Sequence, residues 1–139
     1  MKYGLKPLKT NKKMNIYQQE LLDHYHNSCF KGPLAQADFC SGEYNPSCGD
    51  RVSIAGQINN GLVQEIAFEG AGCVISQAAA SMLCQDVKGK SVDEIRRCDT
   101  DYMISLIAIP LGPTRLKCAL LGLQALQQGL VLYQSKMVC

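Results

Sequence analysis

Eight of the 139 residues are cysteines: Cys29, Cys40, Cys48, Cys73, Cys84, Cys98, Cys118 and Cys139. The N-terminus lacks the apolar core of a signal peptide, so the expectation is a cytoplasmic protein whose thiols stay reduced. Sulfur chemistry or metal ligation is then expected in place of bridges. No C-x-x-C pair occurs, which excludes zinc-finger, zinc-ribbon and thioredoxin spacings and requires any metal to draw ligands from separated segments. Three cysteines stand beside turn formers. Cys48 lies in Asn45-Pro46-Ser47-Cys48-Gly49-Asp50, Cys73 follows Gly70-Ala71-Gly72, and Cys118 comes soon after Pro110-Leu111-Gly112-Pro113. Cys73 is predicted to open a helix and Cys118 to lie in the first turn of the last one, where free N–H groups and the macrodipole favour thiolate. Arg115 and Lys117 would push Cys118 the same way. Asp50 is two residues from Cys48, on one side of a predicted extended segment. Cys48, Asp50, Cys73 and Cys118 thus form a three-sulfur, one-oxygen set. It suits tetrahedral zinc or iron within a sulfur cluster, with aspartate as the exchangeable ligand. The same cysteines also fit as three small buried hydrophobes.

Other candidates have plainer readings. His24 and His26 are two apart, cannot share a helix face, and read as partly exposed residues. Pairing Cys73 with either histidine would make a cysteine hydrolase, but no nucleophile-elbow or papain-like pattern accompanies them. A purely structural zinc site would prefer a closed Cys/His set to one containing Asp50. Cys84 is expected in the core and Cys98 half-exposed. Cys29 and Cys40 could pair under oxidation, and Cys139 is a terminal thiol.

The composition, 47% apolar and 19% charged, is that of one ordinary globular domain. No apolar run approaches the ~18–20 residues of a membrane span. Residues 1–14 are expected to be a flexible basic arm: Lys2, Lys6, Lys9, Lys12 and Lys13 carry no acidic neighbour. The remainder has no basic stripe with interleaved aromatics, which argues against nucleic-acid binding.

The elements that must position these residues follow from capping and periodicity. Asn15 and Gln18 form a capping box for a helix over 15–27, with Tyr17, Leu21 and Tyr25 on one face. Residues 28–47 read as a long loop or irregular edge strand. Val52–Ile58 and Leu62–Glu69 make a hairpin around Asn60-Gly61, with Leu62, Ile66 and Phe68 predicted on its apolar face. Ile75, Ala79 and Met82 mark a small-residue helix. Ser91 and Glu94 cap a short one, and Leu116, Leu120, Leu123, Leu126 and Leu130 stripe a last helix that Gly129 is expected to help end. The predicted class is α+β: a small antiparallel sheet with helices packed on one face, in a single domain.

With those motifs in view, the chain resembles the U-type iron–sulfur cluster assembly proteins, the IscU, SufU and NifU N-terminal family. The resemblance is carried by Asn45–Arg51, Glu69–Ser76 with Ala80-Ser81-Met82, Val87–Ser91, Arg115–Ala119 and Asp23-His24-Tyr25. It covers roughly residues 15–132 and makes 15–139 the NifU/IscU-like domain. It implies a surface site of Cys48, Asp50, Cys73 and Cys118, sulfur delivery by a pyridoxal-phosphate cysteine desulfurase, client apoproteins, and a [2Fe–2S] cluster, iron or Zn2+ at the site. Lys117 before Cys118, and Ile109–Pro113 where scaffold members carry Leu-Pro-Pro-Val-Lys, look more like the SufU branch, although the SufU insertion between the second and third cysteines is lacking. In the sulfurtransferase reading Cys118 accepts persulfide while Cys48, Cys73 and Asp50 hold zinc. In the scaffold reading the three thiolates ligate two irons with Asp50 as labile fourth ligand.

Overall fold

The computed structural model describes residues 15–135; the predicted N-terminal arm and Cys139 lie outside them. The chain opens with α1 (Ile16–Asn27). Asn15 Oδ1 accepts from the Gln18 N–H at 2.9 Å and Gln18 Oε1 accepts from the Asn15 N–H at 3.0 Å. These are the reciprocal bonds the sequence predicted. Leu21 is its buried anchor and Tyr25 packs at the core margin, but Tyr17 is exposed.

Three antiparallel strands follow in the order β1 (Phe39–Asn45), β2 (Asp50–Asn59), β3 (Leu62–Ala71). The β1 strand lies inside the segment read as loop or irregular edge strand, and it is regular. The hairpin turn is as predicted: Asn60 and Gly61 both take positive φ, +55° and +76°, the mirror-image turn that matches strand twist. The apolar phase of β3 needs correction. The register shifts between Gln57 and Ile58, so Glu65 pairs with Gln57 but Val63 pairs with Ile58. The extra residue moves Val63 inward and leaves Leu62 exposed. Asp38 Oδ2 accepts from the Ile58 N–H at this irregularity, at 2.8 Å.

Two long helices cover the apolar face, α2 (Val74–Val87) and α5 (Pro113–Gln134). Between them lie α3 (Val92–Arg96), with the predicted Ser91–Glu94 capping box, and α4 (Thr100–Ile107). The α4 helix has no counterpart in the sequence reading; its signal is Asp99, whose side chain accepts from the Tyr102 N–H at 2.9 Å. Alanines 78, 79 and 80 let α2 approach α5 at Gly122, where an added Cβ would stand 3.3 Å from Ala80 Cα. Gly129 does not end α5, which runs on to Gln134. It is buried instead, and a Cβ there would come within 2.6 Å of the Phe39 ring. Gly56 yields on the other side, with its absent Cβ 2.7 Å from the same ring. Phe39, fully buried, is thus held between a strand glycine and a helix glycine.

The outer edge of β3 is fastened at two places. Near the hairpin turn, Gly89 N–H donates to Val63 O (2.8 Å), Val63 N–H to Lys90 O (2.9 Å) and Val92 N–H to Gly61 O (2.9 Å). Further along, Phe68 exchanges backbone bonds with Phe30 and Gly32. Among the described residues no helix is long and apolar enough to cross a membrane.

Candidate metal centre

At the sheet end away from the hairpin turn, three segments meet. The β1–β2 connection is tight: Asn45 O accepts from the Cys48 and Gly49 N–H groups at 3.3 and 2.8 Å, and Gly49 takes φ +80°. Cys48 therefore sits in a turn and not on the extended segment predicted, yet the turn still delivers it beside Asp50, the first residue of β2. Cys73 is the N-cap of α2. Cys118 is on α5, six residues in from its start and past the first turn.

Three of the four predicted side chains converge on a common centre, and Cys73 contacts one of the three. Cys48 Sγ and Cys118 Sγ are 3.6 Å apart, and ligand atoms of Cys48, Asp50 and Cys118 all lie within 4.8 Å of one another. Cys73 joins through the carboxylate. Its N–H donates to Asp50 Oδ1 at 3.0 Å and its thiol to Asp50 Oδ2 at 3.1 Å. The cradle depends on Gly72, whose φ is +138°; a Cβ there would lie 2.2 Å from Asp50 Oδ1. Two thiolates on a tetrahedral zinc, each ~2.3 Å away, stand ~3.8 Å apart, so the Cys48–Cys118 separation and the sulfur-rich donor set fit such an ion.

Electrostatics correct one expectation. Burial pushes the Asp50 carboxyl up, but hydrogen bonds with Cys73, Cys118 and Cys48 outweigh it and hold it below the ordinary aspartate value. Cys118 is 4% exposed. Burial, then its bonds with Asp50 and Cys48 and the charges of Cys73 and Asp50, push its thiol well above the usual range. A helix start does not activate it, because α5 begins too far back, and Arg115 and Lys117 are exposed. Of the centre's three thiols, Cys48 and Cys73 are exposed.

The remaining candidates are elsewhere. Cys84 is buried and its thiol pushed up by burial, Cys98 is half-exposed, and Cys29 is an exposed free thiol, not bridged to Cys40. His24 does not face Cys73, whose partner is Asp50. Its Nδ1 instead meets Ser81 Oγ at 2.8 Å, and Ser81 Oγ meets Ser28 Oγ at 2.6 Å. His26 is exposed. Sequence reasoning missed Ser76 and Gln77, which are buried behind the centre. The available signal was a glutamine on the apolar helix four residues after Cys73.

Residues 16–139 match the family described as the NifU-like N terminal domain. The chain belongs to that family. Among relatives of this NifU-like domain, the zinc-dependent sulfurtransferase SufU of Bacillus subtilis is 33% identical over 131 residues, covering 82% of this chain and 88% of the relative. The iron-sulfur cluster assembly scaffold protein IscU of Thermotoga maritima is 38% identical over 80 residues, covering 58% and 56%. The crystal structure of a NifU-like protein (N-terminal) from Brucella abortus superposes with a TM-score of 0.72 at 22% identity, covering 87% of this chain and 96% of that one; that likeness supports the three-stranded sheet with helices.

Proposed function

We propose that this NifU-like domain is an iron–sulfur cluster assembly protein. It takes sulfur from a pyridoxal-phosphate cysteine desulfurase in the cytoplasm and relays it, as a [2Fe–2S] cluster or as sulfur, to client apoproteins. Cys48, Asp50, Cys73 and Cys118 are the ligands in this reading. The observation that carries it is the convergence of Cys48, Asp50 and Cys118 within 4.8 Å, with Cys73 bonded to the same carboxylate. A second reading, a zinc-dependent persulfide acceptor, draws support from the SufU relative matched along most of the chain and from Lys117 before Cys118.

The chain's own residues divide the work. Cys48 is exposed and Cys118 lies beneath it, so sulfur arrives at Cys48. Its thiolate attacks the outer sulfur of the donor persulfide; a new S–S bond forms as the donor's breaks, and the donor cysteine leaves as thiolate. Across 3.6 Å the Cys118 thiol then takes the sulfur by the same exchange: its proton passes to Cys48, which leaves as the thiol, and Cys118 carries the persulfide. No net oxidation occurs. Asp50, held ionised, is an exchangeable oxygen ligand. Zinc, when bound, would keep the cysteines deprotonated near neutral pH.

The test is persulfide mapping by mass spectrometry after anaerobic incubation with a cysteine desulfurase and cysteine. Wild type should carry persulfide on Cys118, and Cys118→Ala should strand it on Cys48. No persulfide on any of the three cysteines would overturn the reading. Anaerobic iron loading then separates the two versions: sulfide-to-iron charge-transfer bands mark the scaffold, and retained zinc without them marks the sulfurtransferase.

A further inference from the structure

Among the described residues, one buried side-chain polar atom has no hydrogen-bond partner: Gln77 Oε1. Gln77 is 3% exposed and sits in the opening turns of α2, behind Cys73. Its Nε2 donates twice, to Arg51 O at 3.3 Å and to Ser76 Oγ at 2.9 Å. Ser76 Oγ in turn donates to Cys73 O at 3.1 Å. That chain fixes the amide's orientation. Arg51 O and the committed Ser76 hydroxyl are both acceptors toward Gln77, so only the NH2 end satisfies them. The oxygen is then left against Gly70, where an added Cβ would lie 3.0 Å from it and 2.3 Å from Arg51 O.

An apolar side chain would remove the unpaired buried oxygen, which costs stability, but would also withdraw the donor from Arg51 O. What the amide adds is a link. Arg51 follows Asp50, and Ser76 holds the carbonyl of Cys73, so Gln77 joins the two ligand-bearing backbones across elements that are far apart in sequence. Cys73 and Asp50 also bond directly, through the Cys73 N–H and thiol. The Gln77–Arg51 bond is a second, separate tie between the same two segments. We infer that Gln77 is a positioning residue that holds the start of α2 against the start of β2 and so sets the spacing of Cys73 from Asp50. Its consequence for metal binding rests on the metal-centre reading above; its consequence for Cys73 reactivity does not.

The test is Gln77→Met, which keeps volume and removes both donors and the orphan. Thermal stability should stay close to wild type, because the unpaired oxygen and the two donated bonds are lost together. Zinc affinity, measured by competition with a chromophoric chelator, should fall by about tenfold or more. Cobalt substitution should lose roughly a third of its thiolate-to-metal charge-transfer intensity, as one of three thiolates drops out. In metal-free protein Cys73 should alkylate at least about threefold faster while Cys48 is unchanged, as the clamp on its backbone is released. Wild-type values for Cys73 alkylation and zinc affinity in a folded Gln77→Met protein would overturn the inference. If the wild-type chain binds neither zinc nor cobalt, the metal-centre reading fails, and the alkylation rate alone decides the role of Gln77. Should Gln77→Met fail to fold, the wild type decides by NMR. The Gln77 side-chain amide protons should stay protected from exchange with and without zinc, and loss of protection on zinc addition would refute the clamp.

Discussion

Substituting Gly72 by alanine probes the cradle under the candidate centre. The φ of +138° lies where a residue with a Cβ is strained by about 1–3 kcal/mol. The new methyl would also start 2.2 Å from Asp50 Oδ1 and 2.6 Å from its Cγ, so the carboxylate must swing away from the Cys73 N–H. That forfeits a charge-assisted hydrogen bond worth about 1.5–3 kcal/mol. The expected loss is about 2.5–6 kcal/mol, a large fraction of the ~5–15 kcal/mol that holds a domain together. Urea unfolding in the presence of a chelator measures it as a lower midpoint at an unchanged m-value. The cause is isolated by repeating the substitution in an Asp50→Ala background. With the obstructing carboxylate gone, Gly72→Ala should still cost its backbone strain and its 2.9 Å approach to the Asp50 Cα, leaving a coupling of about 1.5–3 kcal/mol between the positions. An equal penalty in both backgrounds, or a penalty below about 1 kcal/mol in wild type, would refute the steric argument.

Two further outcomes follow from the packing. Burial lowers the His24 pKa below 6.5, against the pull of Glu20, Asp23 and Gln85. As pH falls below about 6.5 the unfolded chain therefore takes up this proton before the folded one, so the contribution is complete above that pH and is lost beneath it; His24→Gln should flatten the fall in urea midpoint from about pH 7.5 to about pH 5. Gly129→Ala should lower stability by roughly 1–2 kcal/mol, since overpacking of ~1–3 kcal/mol against Phe39 outweighs a helix-propensity gain of up to ~1 kcal/mol. Adding Phe39→Leu should recover part of the Gly129→Ala loss in a thermal melt, and no recovery would show the ring is not the obstacle.

What the sequence disclosed and what it concealed divide along physical lines. Asn15 with Gln18, Ser91 with Glu94, and Asn60-Gly61 were legible because their partners lie within a few residues and the backbone needs them there whatever the tertiary context. The meeting of Cys48, Asp50, Cys73 and Cys118 was legible in membership but not in geometry. Cys118 misses the helix start because α5 begins more than a turn earlier, and its burial comes from the docking of that helix against the sheet. Val63 replaced Leu62 in the core because one irregular pairing inverts a period-two pattern downstream. Gly129 looks like punctuation in one dimension and is a notch for an aromatic ring in three. Gln77 was hidden for a related reason: the two groups it joins, Arg51 and Ser76, are neighbours only after folding.

The molecule's two poles differ in how firmly they are tied. Around the Asn60-Gly61 turn, the 89–92 segment is knotted to the sheet by backbone bonds, and the Phe39 ring wedges β1 in place. At the opposite tip Cys48 rides on a short connector, and the next helix is tied to the sheet by the Asp50 carboxylate and the Gln77 amide. A change at that tip can therefore be absorbed by a few side chains while the bonds around the hairpin turn stay as they are.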